Sequence, residues 1–216
     1  MRESHVTFLL ILISFLVFGV SIVLVSLGIV SESYIIQTFG FSYNNLFQRP
    51  WCIITSIFIH QNLDHLVSNM IALLFFGIAV ETKMGWKKTL LIFFLGAFAG
   101  ELLSLVFYAP DVISIGASAG VFALVGTGMI VRPLGLTLYP PFYILPLGLV
   151  GILYAIYNVI GFVMGIGNVS YIAHFGGLIT GFYFGAKEEG FKKAVTIISV
   201  FSILLLIPIL WFLLFK

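Results

Sequence analysis

Seven apolar stretches occupy most of this chain: residues 7–29, 62–80, 89–108, 117–131, 142–164, 169–185 and 194–215. Each is bounded by charges or by Gly, Pro or Asn. Most reach the roughly 20 residues that an α-helix needs to cross the hydrocarbon core of a bilayer. Backbone in that core must satisfy its own hydrogen bonds, so such stretches are committed to helix. Only 8% of the 216 residues are charged. A soluble domain carries about 25%. Mean hydropathy is +1.20. The expectation is an all-α polytopic membrane protein. No polar linker divides it, so residues 1–216 read as one domain, with a core of about 7–185 and a further helix at about 194–215.

Residues 7–29 follow Arg2. They are too long for the apolar region of a signal peptide and lack a convincing small-residue cleavage site, so they read as retained. Residues 30–51 are polar and aromatic and too long for a simple turn. They are expected at the interface, partly embedded. The single cysteine, Cys52, excludes an intrachain disulfide. A net charge of +2 carries no argument for nucleic acid, and no such partner is expected.

Orientation follows from where the basic residues fall. With a cytoplasmic N-terminus, Arg2, Lys83, Lys87, Lys88, Arg132, Lys187, Lys192 and Lys193 lie inside, and Arg49 and Lys216 lie outside. Basic residues concentrate on the cytoplasmic side of membrane proteins. The C-terminus and the loops before residues 62, 117 and 169 are then outside. The absence of a transit peptide makes a prokaryotic plasma membrane the expected location.

Three polar side chains sit at one depth. Ser118 lies 14 residues from Arg132, His174 lies 13 from Lys187, and Asn69 lies 12 from Glu81. At 1.5 Å per residue these are rises of about 21, 20 and 18 Å. In a core about 30 Å thick, that level is roughly 10 Å below the outer surface. Ser118 lies in Gly116-Ala117-Ser118-Ala119-Gly120, at the recessed outer end of a short segment. Free N–H groups and the positive dipole end cluster there. Ser118 is the candidate nucleophile and His174 the candidate base. His65 and Asn69 are four apart on one helix face. With the Ser118 N–H they are candidate donors to a developing oxyanion.

Each of these residues also has an ordinary structural reading. A membrane serine commonly bonds its own helix backbone, and a lone histidine can serve packing. The combination carries the functional reading, because polar groups inside the membrane are costly and mark sites. A metal use of the histidines is disfavoured. The chain has no His-Glu-x-x-His, and His60 and His65 are five apart. No metal and no cofactor are expected. Gly177, Gly181 and Gly185 form a double Gly-x-x-x-Gly ridge beside His174. Such a ridge lets another helix approach closely. The Ser118 helix, with small positions at Gly120, Ala123 and Gly126, is the expected partner. Glu101, inside the third stretch, reads as structural.

The chain resembles the rhomboid family of intramembrane serine proteases. The matching residues are His60, His65 and Asn69 in the second stretch, Gly116-Ala117-Ser118 before the fourth, and Ala173-His174 with Gly177 and Gly181 in the sixth. The match covers roughly residues 45–185. The resemblance implies a six-helix bundle plus a seventh C-terminal transmembrane helix, and a Ser118–His174 dyad without a carboxylate. It implies an oxyanion hole from His65, Asn69 and the Ser118 N–H, with Phe122 stacked on the catalytic histidine. It also implies a half-submerged first loop.

Three departures stand out. Ala119 replaces the usual glycine, Trp51-Cys52 stands where the family has Trp-Arg, and the seventh stretch lies outside the core. The implied activity is serine endopeptidase cleavage of transmembrane protein substrates near their outer ends. Substrates would arrive laterally from the lipid bilayer beside the fifth stretch, with residues 165–169 as a lid. The alternative is an inactive rhomboid-like protein that binds membrane clients. A transporter would show inverted repeats, and none is evident.

Overall fold

The structure is a computed structural model that describes residues 5–139, 143–165 and 170–214. Every one of the seven apolar stretches contains a helix. The helices are α1 (His5–Ser26), α5 (Leu63–Met84), α6 (Trp86–Phe107), α7 (Ser118–Val131), α8 (Leu147–Met164), α9 (Tyr171–Glu189) and α10 (Phe191–Leu214). Short helices α2 (Glu32–Phe39), α3 (Tyr43–Gln48) and α4 (Cys52–Thr55), then a 3₁₀ turn at Ser56–Phe58, fill the segment between α1 and α5. Helices α1, α5, α6 and α8 are each long and apolar enough to cross a membrane. Helix α7 has 14 residues. It rises about 21 Å, short of a core about 30 Å thick.

Helix α7 is the centre of the molecule. Every residue from Ala119 to Val131 is buried, with α5, α6, α8 and α9 around it. Small residues set the spacing. A Cβ on Gly177 would collide with the Ala119 carbonyl, and one on Gly181 with the Ala123 carbonyl. Only glycine lets α9 lie this close to α7. Thr127 Oγ1 then donates across that contact to the Gly181 carbonyl at 3.1 Å. Ala119 is accommodated from the other side: its methyl faces Gly100 of α6, where an added Cβ would come within 2.6 Å. The site is therefore not crowded by this departure.

The first loop is fastened by its own polar groups. Ser31 caps α2 through the Tyr34 N–H and Ser42 caps α3 through the Asn45 N–H, as short hydroxyl side chains do at helix N-termini. Arg49 Nη1 donates to the Gln37 carbonyl at 3.0 Å, Trp51 Nε1 to the Thr38 carbonyl at 3.3 Å, and Asn45 Nδ2 to the Gln37 and Gly40 carbonyls. Arg49, from the far side of Pro50, thus anchors the end of α2 even though position 52 is cysteine.

The structure refines two boundaries of an all-α architecture. In the fifth stretch the helix begins at Leu147. A short antiparallel strand pair, β1 (Leu136–Tyr139) with β2 (Tyr143–Pro146), precedes α8. Pro146 explains the late start. It has ψ 139°, carries no N–H and biases the preceding residue to extended backbone. The Leu147 and Gly148 N–H groups instead donate to the Gly135 and Pro133 carbonyls at 2.7 and 2.9 Å. The sixth stretch runs past residue 185 to Glu189, and α9 and α10 turn through 119° at Gly190, which has φ 92°.

At this end of the bundle Lys83 pairs with Glu189 at 2.8 Å, Lys88 with Glu188 at 2.7 Å, and Lys193 with Glu189. The turn is thereby latched to α5 and α6. Glu81, fully buried on α5, accepts the Val6 and Thr7 N–H groups and the Thr7 hydroxyl at 2.9, 2.8 and 2.6 Å. A carboxylate there meets the unpaired amides and positive dipole end of α1.

Candidate active site

The site is built at the N-terminus of α7. Residues 114–117 are held before the helix begins. Phe41 and Ser114 exchange both backbone hydrogen bonds, at 2.9 and 2.7 Å, and the Gly116 N–H donates to the Ser56 carbonyl at 2.8 Å. Gly116 has φ 111°, which only glycine adopts without strain. A Cβ there would also come within 2.8 Å of the His65 ring. Both constraints select glycine two residues before Ser118.

Ser118 Oγ lies 2.8 Å from His174 Nε2. The two side chains are 56 residues apart in sequence and meet because α7 and α9 pack on glycine. The His174 ring stacks on Phe122, with centroids 4.2 Å apart and planes 11° from parallel. Tyr171 meets its edge at 6.1 Å. Phe122, one helical turn after Ser118, shares the serine's face of α7 and is itself met by Tyr154 of α8. His174 is buried.

His65 of α5 lies over Gly116, two residues before the serine. Asn69, buried one turn below, donates from Nδ2 to the His65 carbonyl at 2.8 Å; its second N–H is the donor it has to offer. His60 takes a scaffold position. Its Nδ1 bonds the Phe58 carbonyl at 3.1 Å and its Nε2 faces the Ala117 N–H at 3.5 Å. The carbonyl can only accept, so Nδ1 carries the proton and Nε2 accepts. His60 and His65 contact edge to face at 5.1 Å. Gly177 and Gly181 form the α7–α9 contact described above. Among the described residues, no three His, Cys, Asp or Glu side chains group as a metal ion would require. Of residues 165–169, positions 166–169 lie outside the described residues.

Two further partners were not legible from motifs. Asn158 of α8 is fully buried, and its Oδ1 lies 2.8 Å from His174 Nδ1. Its only sequence signal is an amide in an otherwise apolar segment. Ser56 donates to Glu101 at 2.6 Å while its carbonyl holds Gly116. Glu101 thus braces the approach to the serine from α6.

A polytopic helical membrane protein with a serine and a histidine in hydrogen-bond contact at one buried level defines a narrow class. The chain belongs to the rhomboid family: the family model described as the rhomboid domain matches residues 48–188. Similar proteins include "RHOMBOID-like protein 6, mitochondrial" of Arabidopsis thaliana, 34% identical over 63% of this chain and 43% of the relative. "Rhomboid protease GluP" of Bacillus subtilis is 32% identical over 72% of this chain and 30% of the relative. "Rhomboid-like protease 3" of Toxoplasma gondii is 37% identical over 35% of this chain and 28% of the relative. The matches span less than half the length of these relatives. Proteins named as proteases stand among them, which supports proteolysis at the level of the family. The relatives come from a plant and a bacterium alike; they do not favour a prokaryotic membrane.

Proposed function

We propose that this protein is an intramembrane serine endopeptidase that hydrolyses peptide bonds in or near transmembrane helices of membrane proteins. The observation that carries the reading is the 2.8 Å contact between Ser118 Oγ and His174 Nε2, within the range for a nucleophile and its base. His174 takes the hydroxyl proton as Oγ attacks the scissile carbonyl. The Ser118 N–H, His65 and the free N–H of Asn69 stabilise the oxyanion. His174 then gives its proton to the leaving amine, and water releases the acyl group by the reverse steps. No cofactor enters. Phe122 keeps the imidazole plane in line with the serine.

Helical substrates hide their carbonyls in their own hydrogen bonds, so a substrate must unwind locally to reach Ser118. We place the N-terminus in the cytoplasm and the site towards the outer leaflet, on the distribution of basic residues. The ion pairs of Lys83, Lys88 and Lys193 lie at the opposite end from Ser118, which agrees with that placement. We place lateral access between α5 and α8, which touch through the Phe76–Tyr154 ring pair.

The test is labelling of the detergent-solubilised protein by a fluorophosphonate, compared with Ser118→Ala and His174→Ala. Labelling of wild type that disappears in both variants supports the reading. A folded wild type that neither labels nor cleaves a transmembrane reporter overturns it and favours client binding.

A further inference from the structure

The side chain of Asn158 joins two elements. Its Nδ2 donates to the Tyr171 carbonyl at 3.1 Å, and its Oδ1 lies 2.8 Å from His174 Nδ1. The direction of every bond in this chain follows from its first member. A main-chain carbonyl can only accept, so the amide nitrogen faces Tyr171 and the amide oxygen faces His174. That oxygen cannot donate, so Nδ1 of His174 carries the proton. In a neutral imidazole the other nitrogen, Nε2, is then bare and accepts from the Ser118 hydroxyl at 2.8 Å. Phe122 and Tyr171 define the plane of the ring, but apolar ring contacts do not select which nitrogen is protonated.

We propose that Asn158 is a positioning residue that holds His174 in the tautomer able to activate Ser118, an inference that rests on the dyad reading above. The amide does for the imidazole what a buried carboxylate does in soluble serine hydrolases, without placing a charge in the membrane. It sits on α8, whereas Ser118 and His174 sit on α7 and α9. Gly161, one turn along α8, receives the ring of Tyr171, where a Cβ would collide with it. The base is therefore correctly protonated only while α8 is seated against the start of α9. A helix that walls the site also carries the group that sets its base.

The test is ¹⁵N NMR of the full-length protein with labelled histidine in detergent, with His174→Gln used to assign the His174 signals among the 4 histidines. Wild-type His174 is expected as the Nδ1–H tautomer; a wild type protonated on Nε2 overturns the proposal without any variant. Asn158→Leu is expected to mix or reverse the tautomers and to slow labelling by about 10²–10⁴-fold, the scale of a misplaced imidazole proton. Retention of the Nδ1–H tautomer in Asn158→Leu overturns it.

Asn158→Asp keeps an acceptor for Nδ1–H but loses the donor to Tyr171. It is expected to keep the tautomer and to label faster than the leucine variant. If the leucine variant does not fold, the aspartate variant is decisive: a lost tautomer overturns the proposal and a retained one supports it. A wild type with the Nδ1–H tautomer that is never labelled would instead sink the dyad reading.

Discussion

At the scale of single residues, the site depends on what is missing from side chains as much as on what is present. Gly177 permits the α7–α9 approach that brings His174 to Ser118. Gly177→Ala drives a methyl into the Ala119 carbonyl. It is expected to cost about 1–3 kcal/mol, as overpacking does, and to lower serine labelling more than proportionally, because the same shift separates Oγ from Nε2. Thermal denaturation in detergent and labelling rate, measured together, check this. Glu101 separates a polar contact from a charge. Glu101→Gln keeps an acceptor for the Ser56 hydroxyl and is expected to retain labelling at normal expression. Glu101→Leu leaves that hydroxyl unpaired and is expected to lose about 1–3 kcal/mol. Complete loss of labelling in a folded glutamine variant would show that Glu101 does chemistry rather than bracing.

At the scale of elements, the two ends of the bundle are held by different forces. The end away from Ser118 is latched by ion pairs. Hydrogen bonds from Lys193 and Lys83 hold the Glu189 carboxyl below the usual carboxylate range, against the opposing effect of its burial. A lowered folded-state value contributes stability above the unfolded value, about 4.3, and loses it as pH falls through the folded one. Glu189→Gln is therefore expected to lower the thermal midpoint near neutral pH and to match wild type in strong acid. The lysine side chains are 41% and 59% exposed, so the effect should stay within about 1 kcal/mol. A difference that grew on acidification would contradict the latch.

The site end is held instead by backbone approach and by Asn158. Lateral access is tested in a Cys52→Ser background by a disulfide joining the site-end halves of α5 and α8. Cleavage of a transmembrane reporter is expected to stop, while a small fluorophosphonate still labels Ser118. Undiminished cleavage would place the access route elsewhere.

At the scale of the whole molecule, α10 stands outside the region matched by the family and touches the bundle away from the site. Its Phe201 ring fills the notch at Gly148, near the start of α8, and Ala194 of α10 is fully buried. Removal of residues 191–216 is expected to lower thermal stability, because Phe201 leaves a cavity against α8, and to keep Ser118 labelling. Loss of labelling with an unchanged melting midpoint would give α10 a direct part in the site.

The class of fold is dictated by composition along the chain. Long uncharged stretches have no stable form in a bilayer except helix, and an apolar stretch declares its length locally. The common level of Ser118 and His174, which meet at 2.8 Å, was also legible, because rise along a helix is a fixed quantity per residue. The pairing of α7 with α9 was foreshadowed by the spacing of Gly177 and Gly181. Which helix face met which was settled by packing of the bundle. It brought Asn158 to Nδ1 of His174, turned Glu101 onto Ser56, let Gly100 absorb the methyl of Ala119, and gave Arg49 the anchoring carbonyl of Gln37. A hydrogen bond between helices is set by rotation about each axis and by one donor–acceptor distance. Neither quantity is carried by the order of residues along any one helix.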